Sequence, residues 1–429
     1  MITGKLRLAA AFWAASMTKR RIARIAMLTV VVTALPAIQL CLGQEFKAIA
    51  LDQLKPMLRI EWRLGPDYPM GIQDSAVGCV DGKIVSAGGF TRHPLDICKR
   101  YPDAFGGEAS GFTKLAFVFD PRNESAGWTR IADMPGPARQ GAAVAVVDDM
   151  LYAAGGMSYT EPLSYRDTYR LKHENGTWAW EPLETCRLPW PAYGAAASTA
   201  VIGKKIYLCG LADFFLAPGG DGPDFHSEAG RDGTVVGRAL LVLDTTDLKA
   251  GWKRLSDCPG VPKFDSALAV AGGKIYQLGG VFGPLAKSAP PYSNAIDSWV
   301  YDPANDRWTR LCDTPPGSNR RALVYADRYI LLVGGYNCAK NRNLDQTETD
   351  VYNAEEKKRD WRDFFETTVF VYDTRNGQWG AADPLVERTS LPSSAADGNV
   401  LYCLGGEGGP RLWHPATLQI GKIVGAISK

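Results

Sequence analysis

Ile275-Tyr276-Gln277-Leu278-Gly279-Gly280 is the stretch on which the fold turns: an apolar strand runs straight into two glycines, and further on Val300-Tyr301-Asp302 ends in an acid before Trp308. The same order returns along the chain. Strand-plus-glycine pieces stand at Lys83-Ile84-Val85-Ser86-Ala87-Gly88-Gly89, Leu151-Tyr152-Ala153-Ala154-Gly155-Gly156, Ile206-Tyr207-Leu208-Cys209-Gly210, Leu331-Leu332-Val333-Gly334-Gly335 and Leu401-Tyr402-Cys403-Leu404-Gly405-Gly406. The later strands Val118-Phe119-Asp120, Val242-Leu243-Asp244 and Val371-Tyr372-Asp373 precede Trp128, Trp252 and Trp379. The second unit departs, with Tyr169-Arg170-Leu171 and Trp178. A unit repeated at this spacing cannot bury its apolar face alone and must stack on its neighbours. The glycines permit a tight bend and close backbone approach, and the Trp packs one unit against the next.

Composition agrees with a single large all-β domain. The 429 residues are 46% hydrophobic and 22% charged, with 45 Gly and 27 Pro, well outside the range of a disordered chain. A formal net charge of +2 argues against a nucleic-acid partner. Lys5, Arg7, Lys19, Arg20, Arg21 and Arg24 all lie in residues 1–43, which hold no acid, so removing these six positive charges from +2 leaves −4.

The basic stretch Lys19–Arg24, the apolar run Ile25–Leu42 and the small residue Gly43 come in the order of an export signal, with removal expected near Gly43. An uncleaved N-terminal anchor is the alternative, because the apolar run approaches a bilayer span. No second long apolar run follows, so no stable membrane span is expected once the signal is removed, and the protein is expected to be periplasmic or secreted. In such a compartment Cys98, Cys186, Cys258, Cys312 and Cys338, placed in loops, are candidates for disulfides. Cys79, Cys209 and Cys403 lie in apolar strands and read as buried thiols.

The repeated pattern resembles the kelch repeat over nearly all of residues 58–420. That resemblance implies an all-β, six-bladed β-propeller with four-stranded antiparallel blades over residues 44–429. The last unit has no clear Asp-to-Trp ending, whereas Ile60-Glu61-Trp62-Arg63-Leu64 is an orphan strand near the start. Residues 58–64 are therefore expected to complete blade six and close the ring, removing exposed sheet edges.

In an up-and-down blade the loop after the glycine pair and the link before the first strand lie at one end. Those links carry Gln73, Arg139 with Gln140, Tyr193, Lys263 with Phe264, Asn319 with Arg320 and Arg321, and Arg388. Guanidinium forks grip carboxylates bidentately, so Arg139, Gln140, Tyr193, Arg320 and Arg388 are candidates for binding a small acidic sugar or glycan. The competing reading is that these cations brace neighbouring blades. The loop of blade five holds Asn353-Ala354-Glu355-Glu356 and then Trp361, Phe364 and Phe365, which predicts a short helix with its aromatic side on the ring. The four histidines, His93, His173, His226 and His414, have no metal spacing, and the acids Asp213, Asp221, Asp224, Glu228 and Asp232 lack the order of a calcium loop. Neither a metal nor a cofactor is expected.

Within kelch propellers, the last two blades resemble the exported bacterial sialic acid (N-acetylneuraminate) mutarotase family, in a circularly shifted order. The resemblance rests on Phe364-Phe365, Tyr372-Asp373 with Trp379, and Gly406-Glu407 followed by Arg411. It implies Glu407 and Arg411 as the catalytic pair, although their spacing is shorter than the family's. The alternative is a non-catalytic kelch module that binds a glycan or a protein partner, since fold alone does not choose.

Overall fold

The apolar alternation before each glycine pair becomes the second strand of a four-stranded antiparallel unit. The computed structural model describes residues 54–91, 95–105, 111–160, 162–194, 196–216, 223–226, 233–282, 293–337, 340–342, 364–408 and 414–427. The first unit is Ala76–Val80, Lys83–Ala87, Ala116–Phe119 and Trp128–Ile131. The second is Ala143–Val147, Met150–Ala154, Thr168–Glu174 and Thr177–Pro182. Thr199–Ile202, Lys205–Leu208, Leu241–Asp244 and Lys253–Arg254 form the third, and Ala267–Ala271, Lys274–Phe282, Ser293–Asp302 and Arg307–Arg310 the fourth.

Repeats five and six do not separate into two sheets as the repeat count predicts. Arg321–Tyr325, Tyr329–Val333, Val369–Asp373 and Gln378–Ala382 continue through Pro56–Leu64 into Leu418–Ala426, Val400–Leu404 and Ser393–Asp397, an eight-stranded sheet. The join is a short parallel contact, Pro56 beside Ala381 and Leu58 beside Ala382. Gly380 makes it feasible, because a Cβ there would stand 2.5 Å from the Lys55 carbonyl. Pro56–Leu64 pairs antiparallel with Leu418–Ala426 from Leu58 opposite Ala426 to Leu64 opposite Gln419.

The first strands of successive units pack side by side in sequence order, and Ser393–Asp397 packs back against Ala76–Val80. Two devices stitch neighbouring units. The second glycine of a pair donates its N–H to the link carbonyl of the following unit: Gly89 to Arg139, Gly156 to Ala192 and Gly335 to Thr389, each at 2.8 Å, and Gly406 returns to Ile72 of the first unit at 2.8 Å. Gly405 and Gly406 have φ of 59° and 100°, a region that other residues rarely adopt, which is why glycine recurs there. The second device is an indole N–H reaching the preceding unit. Trp128 donates to Pro66 O at 3.2 Å, Trp180 to Ala132 O at 2.9 Å, Trp252 to Cys186 O at 2.8 Å and Trp308 to Ser256 O at 2.8 Å. Trp62 does the same at Asp383 O, 3.0 Å away. In the second unit the bracing residue is therefore Trp180, opposite Leu171, and not Trp178, which pairs with His173 and stacks on its ring.

The apolar core lies between units as well as within them. One cluster joins Ala145 and Tyr152 of the second unit to Ile206 and Leu241 of the third, and another joins Val77 and Phe117 of the first to Tyr402 and Leu418 of the last repeat. Cys186, Cys258 and Cys312, candidates for bridges, are not joined in disulfides. Cys186 points at Leu248 O, 3.2 Å away, and Cys312 at Gly377 O, 3.4 Å away, so both act as weak donors inside the packing. Cys338 and the Cys98 side chain lie outside the described residues, as does the predicted helix apart from Phe364 and Phe365. Among the described residues no helix is long and apolar enough to cross a membrane.

Candidate functional site

The turn after each glycine pair lies against the link that leads into the same unit. Isolated bridges mark the contact: Gln73 with Phe90, Gln140 with Met157, Tyr193 with Ala212, Phe264 with Val281, Ser318 with Tyr336 and Ser390 with Glu407. Repeat equivalence thus puts Phe90, Met157, Ala212, Val281, Tyr336 and Glu407 in one circle. Five are apolar or aromatic and the sixth is a carboxylate. Glu407 is held by its backbone, donating to Ser390 O at 2.7 Å and accepting from Ser390 N at 2.9 Å, and its side chain is half-buried. Gly408 follows with φ 102°, and the Phe365 ring packs where its Cβ would stand, so the long fifth-unit loop does lay an aromatic residue against this turn. On the first three units the circle is continued by aromatic rings. Tyr159, 56% exposed, sits 4.9 Å from Phe112, 6.2 Å from Phe90 and 6.0 Å from Phe214, centroid to centroid.

Beside these bridged link positions lies a buried polar network. Arg321 Nη2 donates to Asp74 Oδ1 at 2.7 Å and Nη1 to Asp265 Oδ1 at 2.6 Å, while the Tyr193 hydroxyl donates to Asp74 Oδ2 at 3.1 Å. These four side chains come from the first, third, fourth and fifth units. All are nearly inaccessible to water. Burial raises the pKa of Asp265, against the pull of Arg321, to about 7, and raises that of Asp74 for the same reason. The Tyr193 phenol is pushed up by burial and by the neighbouring Asp74. Two carboxylates around one guanidinium cannot both be comfortably ionised away from water.

The other buried link cations, Arg139, Lys263 and Arg320, each face an acid, Asp167 being shared with Arg187. Arg139, 1% exposed, donates to Gly155 O at 3.0 Å, to Pro137 O at 3.1 Å and to Asp167 Oδ2 at 3.4 Å, and its guanidinium lies 4.2 Å from the Tyr165 ring centroid. Lys263 Nζ donates to both Asp297 O and Asp297 Oδ1 at 2.7 Å. Burial acts to raise the Asp297 pKa, but the Lys263 ammonium outweighs it and holds the carboxyl below its usual value. Arg320 Nη2 meets Glu366 Oε2 at 2.8 Å, and Nη1 meets Pro315 O at 2.8 Å. Gln140 is buried, with an Oε1 that makes no hydrogen bond among the described residues. Arg388 is exposed, and Arg411 lies outside the described residues. Of the sequence candidates, then, the structure brings Tyr193 into the Arg321 network and leaves Glu407 half-buried and Arg388 exposed in the last repeat.

Asp74 and Asp265 escaped the reading of the sequence, yet a signal was there: Asp-Ser-Ala stands at 74–76 and again at 265–267. Both aspartates have positive φ, 49° and 50°, a conformation Asp tolerates better than most residues.

Comparison with known proteins follows this geometry. No family model matches the chain. The solved structure of YjhT superposes with a TM-score of 0.55 over 82% of this chain and 95% of that one, at 16% identity. Kelch-like protein 15 of Mus musculus is 24% identical over 278 residues, 65% of this chain. The chain shares the β-propeller fold of YjhT and is similar in sequence to kelch proteins. Similar proteins of closer length are named N-acetylneuraminate epimerase: that of Haemophilus influenzae is 23% identical over 366 residues, 80% of this chain and 87% of the relative. That of Yersinia enterocolitica is 28% identical over 205 residues, 44% of this chain. The matched stretch covers 51% of the Yersinia protein and 41% of the kelch-like one, so the propeller spans about half the length of these relatives.

Proposed function

We propose that this is an exported, six-bladed kelch propeller that binds an acidic sugar and interconverts the anomers or epimers of an N-acetylneuraminate-type substrate. The observation that carries the reading is Glu407, the single carboxylate at a repeat position whose equivalents are Phe90, Met157, Ala212, Val281 and Tyr336. A six-fold count is supported by the cyclic packing of the first strands and by the return bond from Gly406 to Ile72. On this count the eight-stranded sheet is two blades touching edge to edge.

Anomer exchange breaks the bond between the anomeric carbon and the ring oxygen. The anomeric hydroxyl loses a proton as its oxygen becomes a carbonyl, the ring oxygen gains one, and the same hydroxyl then re-adds to the other face. A half-buried carboxyl that can give and take a proton is suited to both transfers. Glu407 fills that role in the proposal, with Arg411 and Arg388 supplying positive charge toward the sugar carboxylate. Arg139, Arg320, Gln140 and Tyr193 then act behind the site by holding its links in place.

The test is NMR of freshly released N-acetylneuraminate with and without the secreted protein. Faster approach to anomeric equilibrium is the expected result. An unchanged rate, with the sugar still bound, would leave a non-catalytic glycan-binding module. N-terminal sequencing of secreted protein checks export, with a start near Gln44 expected.

A further inference from the structure

The molecule has a concave site outside the turn that holds Glu407. Between the first and second units lies a cavity of about 370 Å³, lined by Asp103, Phe105, Lys114, Ser158, Thr160 and Tyr165 among others. That volume falls within the range of small-ligand pockets. Its floor is fixed. The Ser158 and Tyr165 hydroxyls are 2.6 Å apart, Thr160 N donates to Ser158 Oγ at 3.2 Å, and Arg139 stacks on the Tyr165 ring from within the blade. Lys114 is likewise fixed through its backbone, donating to Ala104 O at 2.8 Å and accepting from Met134 N at 2.8 Å.

Two charges line this cavity without meeting each other. Lys114 is half-buried and Asp103 exposed, and among the described residues neither has an ion-pair partner. This sets Lys114 apart from the link cations Arg139, Lys263, Arg320 and Arg321, each of which faces an acid. An ammonium partly withdrawn from water and left unpaired favours an arriving anion, and a carboxylate is the anion a lone ammonium and nearby hydroxyls accommodate as a charge-assisted acceptor. Asp103 complements it by accepting from hydroxyls, and the Phe105 ring offers a flat apolar wall.

We infer that this cavity is a binding site for a small carboxylated polyol, a sugar acid, with its carboxylate on Lys114 and its hydroxyls toward Asp103 and Thr160. It is separate from the Glu407 turn and stands or falls apart from the proposed catalysis.

The test uses galacturonate as the probe and galactose as its neutral control, titrated by calorimetry into the wild-type propeller and into Lys114→Met and Lys114→Arg. Lys114→Met is expected to weaken galacturonate binding about tenfold to a hundredfold, the range for losing a hydrogen bond to a charged group. Lys114→Arg should keep most of the affinity. Galactose should bind wild type and Lys114→Met alike. If Lys114→Met melts early, Asp103→Asn on the exposed rim serves instead and should weaken galacturonate and galactose equally. Unchanged galacturonate affinity in Lys114→Met, or wild-type binding that ignores the carboxylate, overturns the inference. Loss of anomer exchange in Glu407→Gln bears only on the proposed function.

Discussion

Two regions of this propeller use the same residue types for opposite ends. The belt formed by the links is full of cations, and the buried ones meet acids: Arg139 on Asp167, Lys263 on Asp297, Arg320 on Glu366, and Arg321 on both Asp74 and Asp265. The turns after the glycine pairs hold few charges, and Glu407 stands there half-buried among apolar equivalents. A cation next to the ring is therefore no evidence of a ligand in itself. What separates the two is burial: the paired link charges are closed off from water, whereas Glu407 at the turn is only half-buried.

If that contrast is right, substitutions at the turn should change chemistry and leave stability alone. Glu407→Gln keeps the shape and removes the titrating group, so the anomer-exchange rate should fall by about 10²–10⁴ while the melting temperature stays put. Exchange at the wild-type rate, followed by NMR, would remove Glu407 from the mechanism and erase the contrast.

In the belt the reverse is expected. Arg321→Met leaves Asp74 and Asp265 buried against each other without their shared guanidinium, and loss of one partner of a buried pair destabilises by about 3–5 kcal/mol. Urea unfolding reads this directly, and a change under about 1 kcal/mol would show that water reaches the network.

How far the sequence carried the reading depends on which interactions repeat. The glycine pairs and the Trp-bearing outer strands were legible because the same local need recurs in unit after unit, and the register errors are local, as with Trp178 against Trp180. The fusion of the last two units was not legible, since it depends on Gly380 meeting a strand more than three hundred positions away. The link arginines were found by position but their direction was not, because Asp167 and Glu366 precede their strands in stretches with no repeated spelling. Glu407 was singled out through family resemblance alone, and its singular place in the circle became visible only once the bridges aligned the six turns.

The belt should also declare itself through pH. Burial lifts the folded-state pKa of Asp265 to about 7, above the ordinary carboxyl value of roughly 3.9 in the unfolded chain. Between those values the folded protein holds a proton the unfolded chain has released, so stability contributed by this group is present at low pH and lost as pH rises toward 7. Asp265→Asn mimics the protonated form and should flatten that decline. Urea midpoints at pH 5 and pH 8 test it: the variant should compare better with wild type at pH 8 than at pH 5. An equal gap between variant and wild type at both pH values would mean that Asp265 is ionised throughout, held so by Arg321.

The smallest expected effect is also the sharpest test of where the belt ends. Arg388 occupies the last link, the counterpart of links that carry Arg139 and Lys263, yet it is exposed where those are buried. A surface side chain away from packing changes stability by no more than about 0.5 kcal/mol when replaced, so Arg388→Ala should unfold at nearly the wild-type urea concentration. Its charge, on the proposed reading, is directed to a ligand beside Glu407. Affinity for N-acetylneuraminate should then fall by about 1.5–3 kcal/mol, and that for a neutral sugar should hold. A stability loss comparable to that of Arg321→Met, with no preference between acidic and neutral sugars, would place Arg388 among the braces after all. The positive charge at the turn would then rest on Arg411 alone.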